Sequence, residues 1–335
     1  MLCPPRSILR FVPLLFSRDI SPEPERRAPQ NQSTQNPKKP SANGAHFPLL
    51  ARPITVTLTA AFVIERFIPA AIMRILFIGD VVGRPGRKLV AGFLPEFRRR
   101  REIDFVIANG ENAASGKGLT GPLAEQLFAA GVDVLTGGNH TWKNKDIYKI
   151  INEDTRVLRP ANYPPDPSVP GRGSQLYRVP GTDTMIGVVN LLGRVFMAPV
   201  DCPFRTGKAI VERLRKTTPL IVVDMHAEAT SEKLALTWHL DGLVTAVIGT
   251  HTHVPTADER ITAAGTAAQT DVGMTGPYDG VLGVRKDLIM QAMISLMPVR
   301  HELADGDLRL CGLLVDADPA TGRALAVERI CHREG

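Results

Sequence analysis

From residue 73 onward, short apolar runs alternate with stretches of helical periodicity, and this order constrains the fold more than any other feature. Strands are predicted at residues 74–79, 104–108, 132–136, 175–178, 185–190, 220–223, 244–248, 299–302, 311–315 and 326–330. Helices are predicted at residues 87–101, 122–130, 145–152, 205–216, 231–239 and 286–296. Alternating strands and helices form a largely parallel sheet covered by helices, and the closing strands indicate a partly antiparallel end. The pattern therefore predicts one α/β domain over residues 73–335.

Polar side chains follow five of the predicted strands at the point where each strand ends. In open α/β sheets ligands gather beyond the carboxyl ends of the strands, so residues distant in sequence can converge there. Carboxylate, amide and imidazole groups at such positions indicate a metal or catalytic site. The residues are Asp80, Glu111, Asn112, Asn139, His140, His226, His251 and His253.

The strongest single element is the stretch 249–254, Gly-Thr-His-Thr-His-Val, directly after an apolar run. In an extended segment successive side chains alternate faces, so His251 and His253 are expected to point the same way. Two imidazoles directed at one place are a metal-binding arrangement. This interpretation depends on the segment being extended.

Each of the other residues also has an ordinary structural interpretation. Asp80 can cap the turn that follows its strand. Asn139 can adopt a left-handed turn conformation, which asparagine tolerates well. His226 can be a half-buried, hydrogen-bonded structural histidine. Taken one at a time, the residues leave these alternatives open, and only their occurrence at five strand ends favours a common site.

The first 72 residues differ from the rest of the chain. Residues 1–47 are rich in Pro, Ser, Asn, Gln and Arg without hydrophobic periodicity, which predicts disorder. The apolar stretch 54–72 contains Glu65, Arg66 and Pro69, which a membrane span would not favour, so no membrane partner is expected. We interpret residues 1–72 as a disordered extension or as the result of a start site placed too early.

The distribution of charge and the cysteine pattern indicate which partners and which location to expect. The formal charge is +6, but residues 1–72 hold nine Lys and Arg against four Asp and Glu, which leaves 31 against 30 in the remainder. The charge of the folded part therefore does not indicate an RNA-binding surface, although RNA stays an open partner. Cys3, Cys202, Cys311 and Cys331 form no CxxC pair, which favours reduced thiols and a cytoplasmic location.

Several of these motifs together resemble a known family. Gly79 and Asp80, the run Gly-Asn-His at 138–140, His226 and the 249–253 stretch resemble the calcineurin-like metallophosphoesterase signature. The fuller motifs resemble the YmdB-like phosphodiesterases of that superfamily, and the resemblance covers residues 73–331. These motifs are Gly-Asp-Val-Val-Gly at 79–83, Asn-Gly-Glu-Asn at 109–112, Asn-His-Thr-Trp at 139–142, His-Ala-Glu-Ala-Thr-Ser-Glu at 226–232 and Asp-Val-Gly-Met-Thr-Gly-Pro-Tyr-Asp-Gly at 271–280.

The chain departs from the broad superfamily pattern at two places. The first motif of the superfamily has histidine where this chain has Val82, and the bridging aspartate of the superfamily is replaced by Glu111 followed by Asn112. Both departures are features of the YmdB-like branch, so they favour the narrower resemblance.

The resemblance implies a four-layer α/β/β/α sandwich and a centre of two transition-metal ions. The ligand set that it implies for the first ion is Asp80, Glu111, Asn112 and His253, and the set for the second is Glu111, Asn139, His226 and His251. Ligation by nitrogen and oxygen without thiolate favours Fe or Mn, with Zn as a third candidate. His140 is implied to be the general acid or a stabiliser of transition-state charge, and its alternative role is to orient a ligand. Asp224, Glu228 and Asp258 are candidates for orienting the ligands.

The function implied by the resemblance is the hydrolysis of cyclic nucleotides, 2′,3′-cyclic, 3′,5′-cyclic or both, by a hydroxide that bridges the two ions. We also expect a homo-oligomer. One alternative is a phosphomonoesterase or a nuclease. Another is a regulatory RNA-binding protein in which phosphoesterase activity is incidental.

Overall fold

The computed structural model describes residues 72–334, which form thirteen strands in two sheets and six helices. The strands are β1 (Met73–Ile78), β2 (Asp80–Val81), β3 (Phe105–Asn109), β4 (Val134–Thr136), β5 (Ser174–Arg178), β6 (Met185–Leu192), β7 (Ile221–His226), β8 (Ala246–Thr250), β9 (Arg260–Ile261), β10 (Ala267–Gln269), β11 (Met274–Pro277), β12 (Leu308–Ala317) and β13 (Ala324–Arg333). The helices are α1 (Gly83–Arg100), α2 (Gly121–Ala129), α3 (Ile147–Glu153), α4 (Pro203–Leu214), α5 (Thr230–His239) and α6 (Lys286–Ser295).

The first sheet has the order β2-β11-β12-β1-β3-β4, with β13 paired to β12. Its strands β1, β3 and β4 are parallel, whereas β12 runs antiparallel to β1 and to β13. The second sheet has the order β5-β6-β7-β8-β10-β9. Its central strands β6, β7, β8 and β10 are parallel, and both edge strands are antiparallel. The carboxyl ends of the parallel strands therefore lie at one edge of each sheet.

The alternation of side chains along each strand determines how the layers pack. In β1, Ile75 and Phe77 join an apolar cluster with residues of the second sheet such as Val222, whereas Leu76 and Ile78 join a cluster with the inner face of α1. The two sheets thus pack face to face, because successive side chains of a strand point to opposite faces. A third cluster packs the outer face of the second sheet against α4 and α5. The expected four-layer α/β/β/α sandwich is confirmed.

Most predicted elements lie within a few residues of their observed bounds, but one expectation needs correction and several short strands were not predicted. Residues 299–302 are not a strand, and the glycine-rich stretch 271–283 contains β11. Within residues 72–334, every helix is too short or too polar to cross a bilayer. Except for Ile72, the extension predicted for residues 1–72 lies outside the described residues, and so does its apolar stretch, residues 54–72. The domain boundary therefore stays a prediction.

Candidate metal centre

The expected convergence of strand ends occurs between the two sheets. The first sheet contributes the residues that follow β1, β3 and β4, and the second contributes the end of β7 and the turn after β8. Because both sheets direct carboxyl ends of parallel strands to this edge, their polar side chains meet there. The residues brought together are Asp80, Glu111, Asn112, Asn139, His140, His226, His251 and His253.

Nε2 of His226 and three ligand atoms around it form the first cluster. Nε2 of His226 lies 2.9 Å from Oδ1 of Asn139, 3.1 Å from Oε1 of Glu111 and 3.1 Å from Nδ1 of His251. Both His226 and Glu111 are buried. A single proton on Nε2 can be shared with one of these atoms at a time, whereas a cation can contact all four. The donor set therefore fits a metal ion.

The second cluster lies beside the first and shares Glu111 with it. The amide nitrogen of Asn112 lies 3.3 Å from Oδ1 of Asp80, 3.1 Å from Nε2 of His253 and 3.4 Å from Oε1 of Glu111. Nε2 of His253 is 3.7 Å from Oδ1 of Asp80. These are nitrogen and oxygen donors without a thiolate, which suits a transition metal. The same Glu111 oxygen faces both clusters.

The two clusters tolerate no side chain at residue 138. A Cβ atom at Gly138 would clash with the Glu111 carboxylate and with the His226 imidazole, so the close approach of β4 to the clusters requires glycine.

The segment with His251 and His253 is not extended, so the expectation based on strand alternation is wrong. Strand β8 ends at Thr250, and His251 and His253 have φ angles of 99° and 65°, in the left-handed region. The backbone N–H of His251 donates to Oδ2 of Asp80 at 3.1 Å. The turn directs Nδ1 of His251 to the first cluster and Nε2 of His253 to the second. The two imidazoles therefore face different clusters.

Buried polar groups beneath His226 orient its ring. Thr250 Oγ1 donates to Oδ1 of Asp224 at 2.7 Å and lies 2.9 Å from Nδ1 of His226. Because the hydroxyl proton goes to Asp224, the oxygen accepts from Nδ1–H of His226. Asn109 also donates to Asp224, at 3.1 Å. This arrangement leaves Nε2 of His226 directed at the first cluster.

The pKa values of this centre, without an ion, show how strongly it attracts positive charge. Burial lowers the pKa of His226, but the carboxylates of Glu111, Asp80 and Asp224 outweigh burial and raise it to about 9. Burial raises the pKa of Glu111, but His226 and His140 hold it at about 2. Burial and the charge of His226 lower the pKa of His251 to about 3. The centre thus holds a cationic imidazole where the donor set fits a metal ion.

His140 lies beside the clusters. Its backbone N–H donates to Oε2 of Glu111 at 2.8 Å, and its Nδ1 lies 2.7 Å from Oδ1 of Asn112. The side chain is about one-quarter exposed, and burial lowers its pKa. This position leaves the ring at the boundary between the buried clusters and solvent.

Two of the three residues expected to orient ligands, Asp224 and Glu228, lie where they can do so. Asp224 supports His226 through Thr250, and Oε2 of Glu228 lies 3.1 Å from Nε2 of His251. Asp258 instead bonds to Thr256 and Thr270. The sequence analysis did not identify Asn109 and Thr250 as supporting residues. Each is a polar residue at the last position of a buried strand, and that position was the signal that could have identified them.

Comparisons with known proteins agree with this fold. The family model described as "YmdB-like protein" matches residues 76–330. A relative from Bacillus subtilis, named 2′,3′-cyclic-nucleotide 2′-phosphodiesterase, is 48% identical over 258 residues, which are 77% of this chain and 96% of the relative.

Two solved structures share the whole fold. A hypothetical protein from Thermus thermophilus has 41% identity and a TM-score of 0.73, over 78% of this chain and 100% of that chain. A novel phosphatase from Mycoplasma pneumoniae has 34% identity and a TM-score of 0.73, over 79% of this chain and 94% of that chain. The chain therefore belongs to the YmdB-like family, and the prediction that it is a metallophosphoesterase is confirmed.

Proposed function

We propose that this protein hydrolyses the phosphodiester bond of cyclic nucleotides, 2′,3′-cyclic, 3′,5′-cyclic or both, with two metal ions. The observation that carries the proposal is the carboxylate of Glu111, one oxygen of which lies within 3.4 Å of donor atoms in both clusters. A carboxylate in that position can bridge two cations. The name of the Bacillus subtilis relative supports a 2′,3′-cyclic nucleotide as substrate.

The two clusters would hold one ion each, Fe or Mn in preference to Zn. Asp80, Glu111, Asn112 and His253 would bind the ion of the second cluster, and Glu111, Asn139, His226 and His251 would bind the ion of the first cluster. Such a pair of ions supplies Lewis-acid stabilisation of phosphoryl charge and activates water as a nucleophile. Asn112 can bind a cation only through its amide oxygen, which would turn its NH2 group toward Nδ1 of His140.

His140 would act on the leaving group. Its Nδ1 is occupied by the Asn112 amide, so Nε2 is the atom available to a substrate. In the proposed orientation of Asn112, Nδ1 accepts from the amide and Nε2 carries the proton. The imidazole can then donate a hydrogen bond to the leaving oxygen and transfer its proton as the ester bond breaks.

One set of measurements tests the function. The full-length chain, Asn139→Ala and His140→Ala are assayed for bound metal and for turnover of 2′,3′-cyclic AMP, 3′,5′-cyclic AMP, a generic diester, a monoester and a longer RNA. We expect bound transition metal in the unmodified chain, less metal in Asn139→Ala, and full metal with about 100-fold slower turnover in His140→Ala.

The alternatives give different results in the same assay. A preference for the monoester or for long RNA identifies a phosphomonoesterase or a nuclease. No turnover of any substrate, together with tight RNA binding in a gel-shift measurement, identifies a regulatory protein. A full-length chain that binds no transition metal contradicts the proposal as a whole. Unchanged turnover in His140→Ala would contradict only the role of that residue.

The cytoplasmic location and the homo-oligomer are further parts of the proposal. Reduced thiols at Cys202, Cys311 and Cys331 are consistent with a cytoplasmic protein. Helix α6 and the residues after it expose Met293, Ile294 and Leu296, an apolar surface that a second copy of the chain would cover. Light scattering of the purified chain determines the oligomeric state, and a monomer over the micromolar range would contradict this part.

A further inference from the structure

A cavity of about 430 Å³ opens beside the second cluster. Its lining combines apolar side chains, among them Leu282 and Leu303, with the basic side chains of Lys117, Arg300 and His301. His253 also lines it, and Nε2 of the same residue faces Asn112 in the cluster. The cavity and the candidate metal centre therefore share a wall.

The basic side chains of this cavity have no acidic partner within the described part of the chain. Lys117, Arg300 and His301 are exposed, and none of them forms an ion pair or a side-chain hydrogen bond with another residue between 72 and 334. The one carboxylate in the lining is Glu302, which accepts from Nη1 of Arg285 at 2.7 Å. The cavity therefore carries positive charge that the described residues leave unneutralised.

The charge of this cavity extends to the candidate centre. His253, whose Nε2 faces the second cluster, lines the same cavity as Lys117 and Arg300. Unpaired cations next to a site that would bind phosphate attract a further anion, and phosphate is the anion that such groups bind through strong charge-assisted hydrogen bonds.

We propose that this cavity binds a second phosphate group of the substrate, in addition to the phosphate at the two clusters. The proposal rests on the proposed function, because it assumes that the scissile phosphate binds beside His253. Leu282 and Leu303 would contact the ribose or the base. The second phosphate could be the 5′-phosphate of a mononucleotide or the internucleotide phosphate of a short RNA that ends in a 2′,3′-cyclic phosphate.

Kinetics on three substrates test the proposal in the full-length protein. The substrates are 2′,3′-cyclic AMP, the same nucleotide with a 5′-phosphate, and a diadenosine with a terminal 2′,3′-cyclic phosphate. We expect kcat/KM about tenfold higher for a substrate with a second phosphate than for 2′,3′-cyclic AMP. Preference for the mononucleotide or for the dinucleotide identifies the source of the phosphate.

Two double variants distinguish the effect of the cations in this cavity from a general effect of positive charge on the protein surface. In Lys117→Ala/Arg300→Ala, the ratio of kcat/KM between the second-phosphate substrate and 2′,3′-cyclic AMP is expected to fall to about one. The matched control is Lys149→Ala/Lys208→Ala, which removes two exposed cations outside the cavity and should keep the ratio of the unmodified chain. Equal ratios in the two variants would overturn the proposal.

Binding provides a measurement that does not depend on turnover. By calorimetry, adenosine 3′,5′-bisphosphate should bind about tenfold more tightly than adenosine 3′-monophosphate, and the difference should disappear only in Lys117→Ala/Arg300→Ala. If neither 2′,3′-cyclic AMP nor 3′,5′-cyclic AMP is hydrolysed, the proposed function fails while this comparison still decides the role of the cavity. The absence of any preference for the bisphosphate would overturn the proposal even in an active enzyme.

Discussion

Nζ of Lys233 lies 2.7 Å from Oδ2 of Asp271, and both side chains are almost completely buried. The same carboxylate oxygen accepts from the backbone N–H of Thr252 at 3.0 Å and from its hydroxyl at 2.7 Å. Thr252 lies between the two histidines that have left-handed φ angles. The ion pair between α5 and the loop after β10 therefore stabilises the turn that presents His251 and His253.

Loss of the Asp271 charge should destabilise the protein strongly. In Asp271→Asn the Lys233 ammonium stays buried without a counter-charge, and such changes cost about 3–5 kcal/mol. The free energy of unfolding of the metal-free protein, measured in urea, should fall by that amount. The double variant Lys233→Met/Asp271→Asn is the control, because it removes the buried charge and keeps an acceptor for Thr252. A double variant less stable than Asp271→Asn would contradict this explanation.

The sequence predicted which side chains converge better than it predicted how the chain presents them. Asp80, Glu111, Asn139 and His226 follow or end strands that were predicted within about three residues, since buried parallel strands leave clear apolar runs. The turn at 251–253 could not be predicted, because the carboxylate that bonds to its central residue belongs to Asp271, which is distant in sequence. Alternation of side chains along an extended strand was therefore the wrong reason for placing the two histidines in one site.

The shortest strands and the contacts between residues distant in sequence could not be predicted either. Strands β2 and β9 have two residues each and β10 has three, too few for any periodicity to register. Residues 299–302 look like a strand in composition but lie in irregular chain beside the cavity. The two cysteines Cys311 and Cys331 are cross-strand neighbours with sulfur atoms 3.9 Å apart, although their spacing in sequence gave no sign of it.

Thr250 is expected to control metal affinity through the tautomer of His226. In Thr250→Val the acceptor for Nδ1–H of His226 is lost, so the imidazole no longer presents Nε2 to the cluster in a single tautomer. Affinity for the metal should fall by about 10–100-fold, as for other groups that orient ligands. Competition with a chromogenic chelator measures the affinity.

Thr136→Val is the matched control for Thr250→Val. Thr136 donates to Oδ2 of Asp224 at 2.6 Å, so this variant also removes a threonine hydroxyl from that carboxylate, but it leaves the contact with His226 in place. Its affinity for metal should stay within about threefold of the unmodified chain. Equal losses of affinity in both variants would show that Asp224, and not the tautomer, is the important group.

Alkylation should distinguish Cys202 from Cys311. The backbone N–H groups of Arg205 and Phe204, at the start of α4, lower the pKa of the Cys202 thiol. Burial raises the pKa of Cys311 to about 12. Because the thiolate is the reactive form, iodoacetamide at pH 7 should label Cys202 well before Cys311. Peptide mass spectrometry over a time course measures both sites, and faster labelling of Cys311 would contradict the prediction.

The ion pair of Asp154 and Arg156 should stabilise the fold above a defined pH. Burial raises the pKa of Asp154, but hydrogen bonds from Arg156, one of 2.6 Å, outweigh it and hold the pKa below its usual value. A carboxylate with a lowered folded pKa contributes its full stability above the unfolded pKa, about 3.9, and loses it as the pH falls further.

Asp154→Asn tests this dependence. Because Arg156 is partly exposed, the variant should lose only about 0.5–1 kcal/mol of unfolding free energy at pH 7. The difference from the unmodified chain should be the same at pH 5 and should shrink below about pH 4. Urea unfolding at three pH values measures it, and a difference that grows toward acid would have the wrong sign for this ion pair.

His251 and His253 should each be responsible for one of two metal ions, because their imidazoles face different clusters. We expect His251→Ala and His253→Ala each to retain about one ion per chain after dialysis, since an incomplete set of ligands loses its metal. The double variant should retain none, whereas His226→Ala/His251→Ala, which removes two ligands of one cluster, should still retain one. His239→Ala, in an exposed position of α5, is the control for loss of an imidazole and should keep both ions. Elemental analysis gives each count, and a His251→Ala/His253→Ala protein with as much metal as either single variant would show that the two imidazoles serve the same ion.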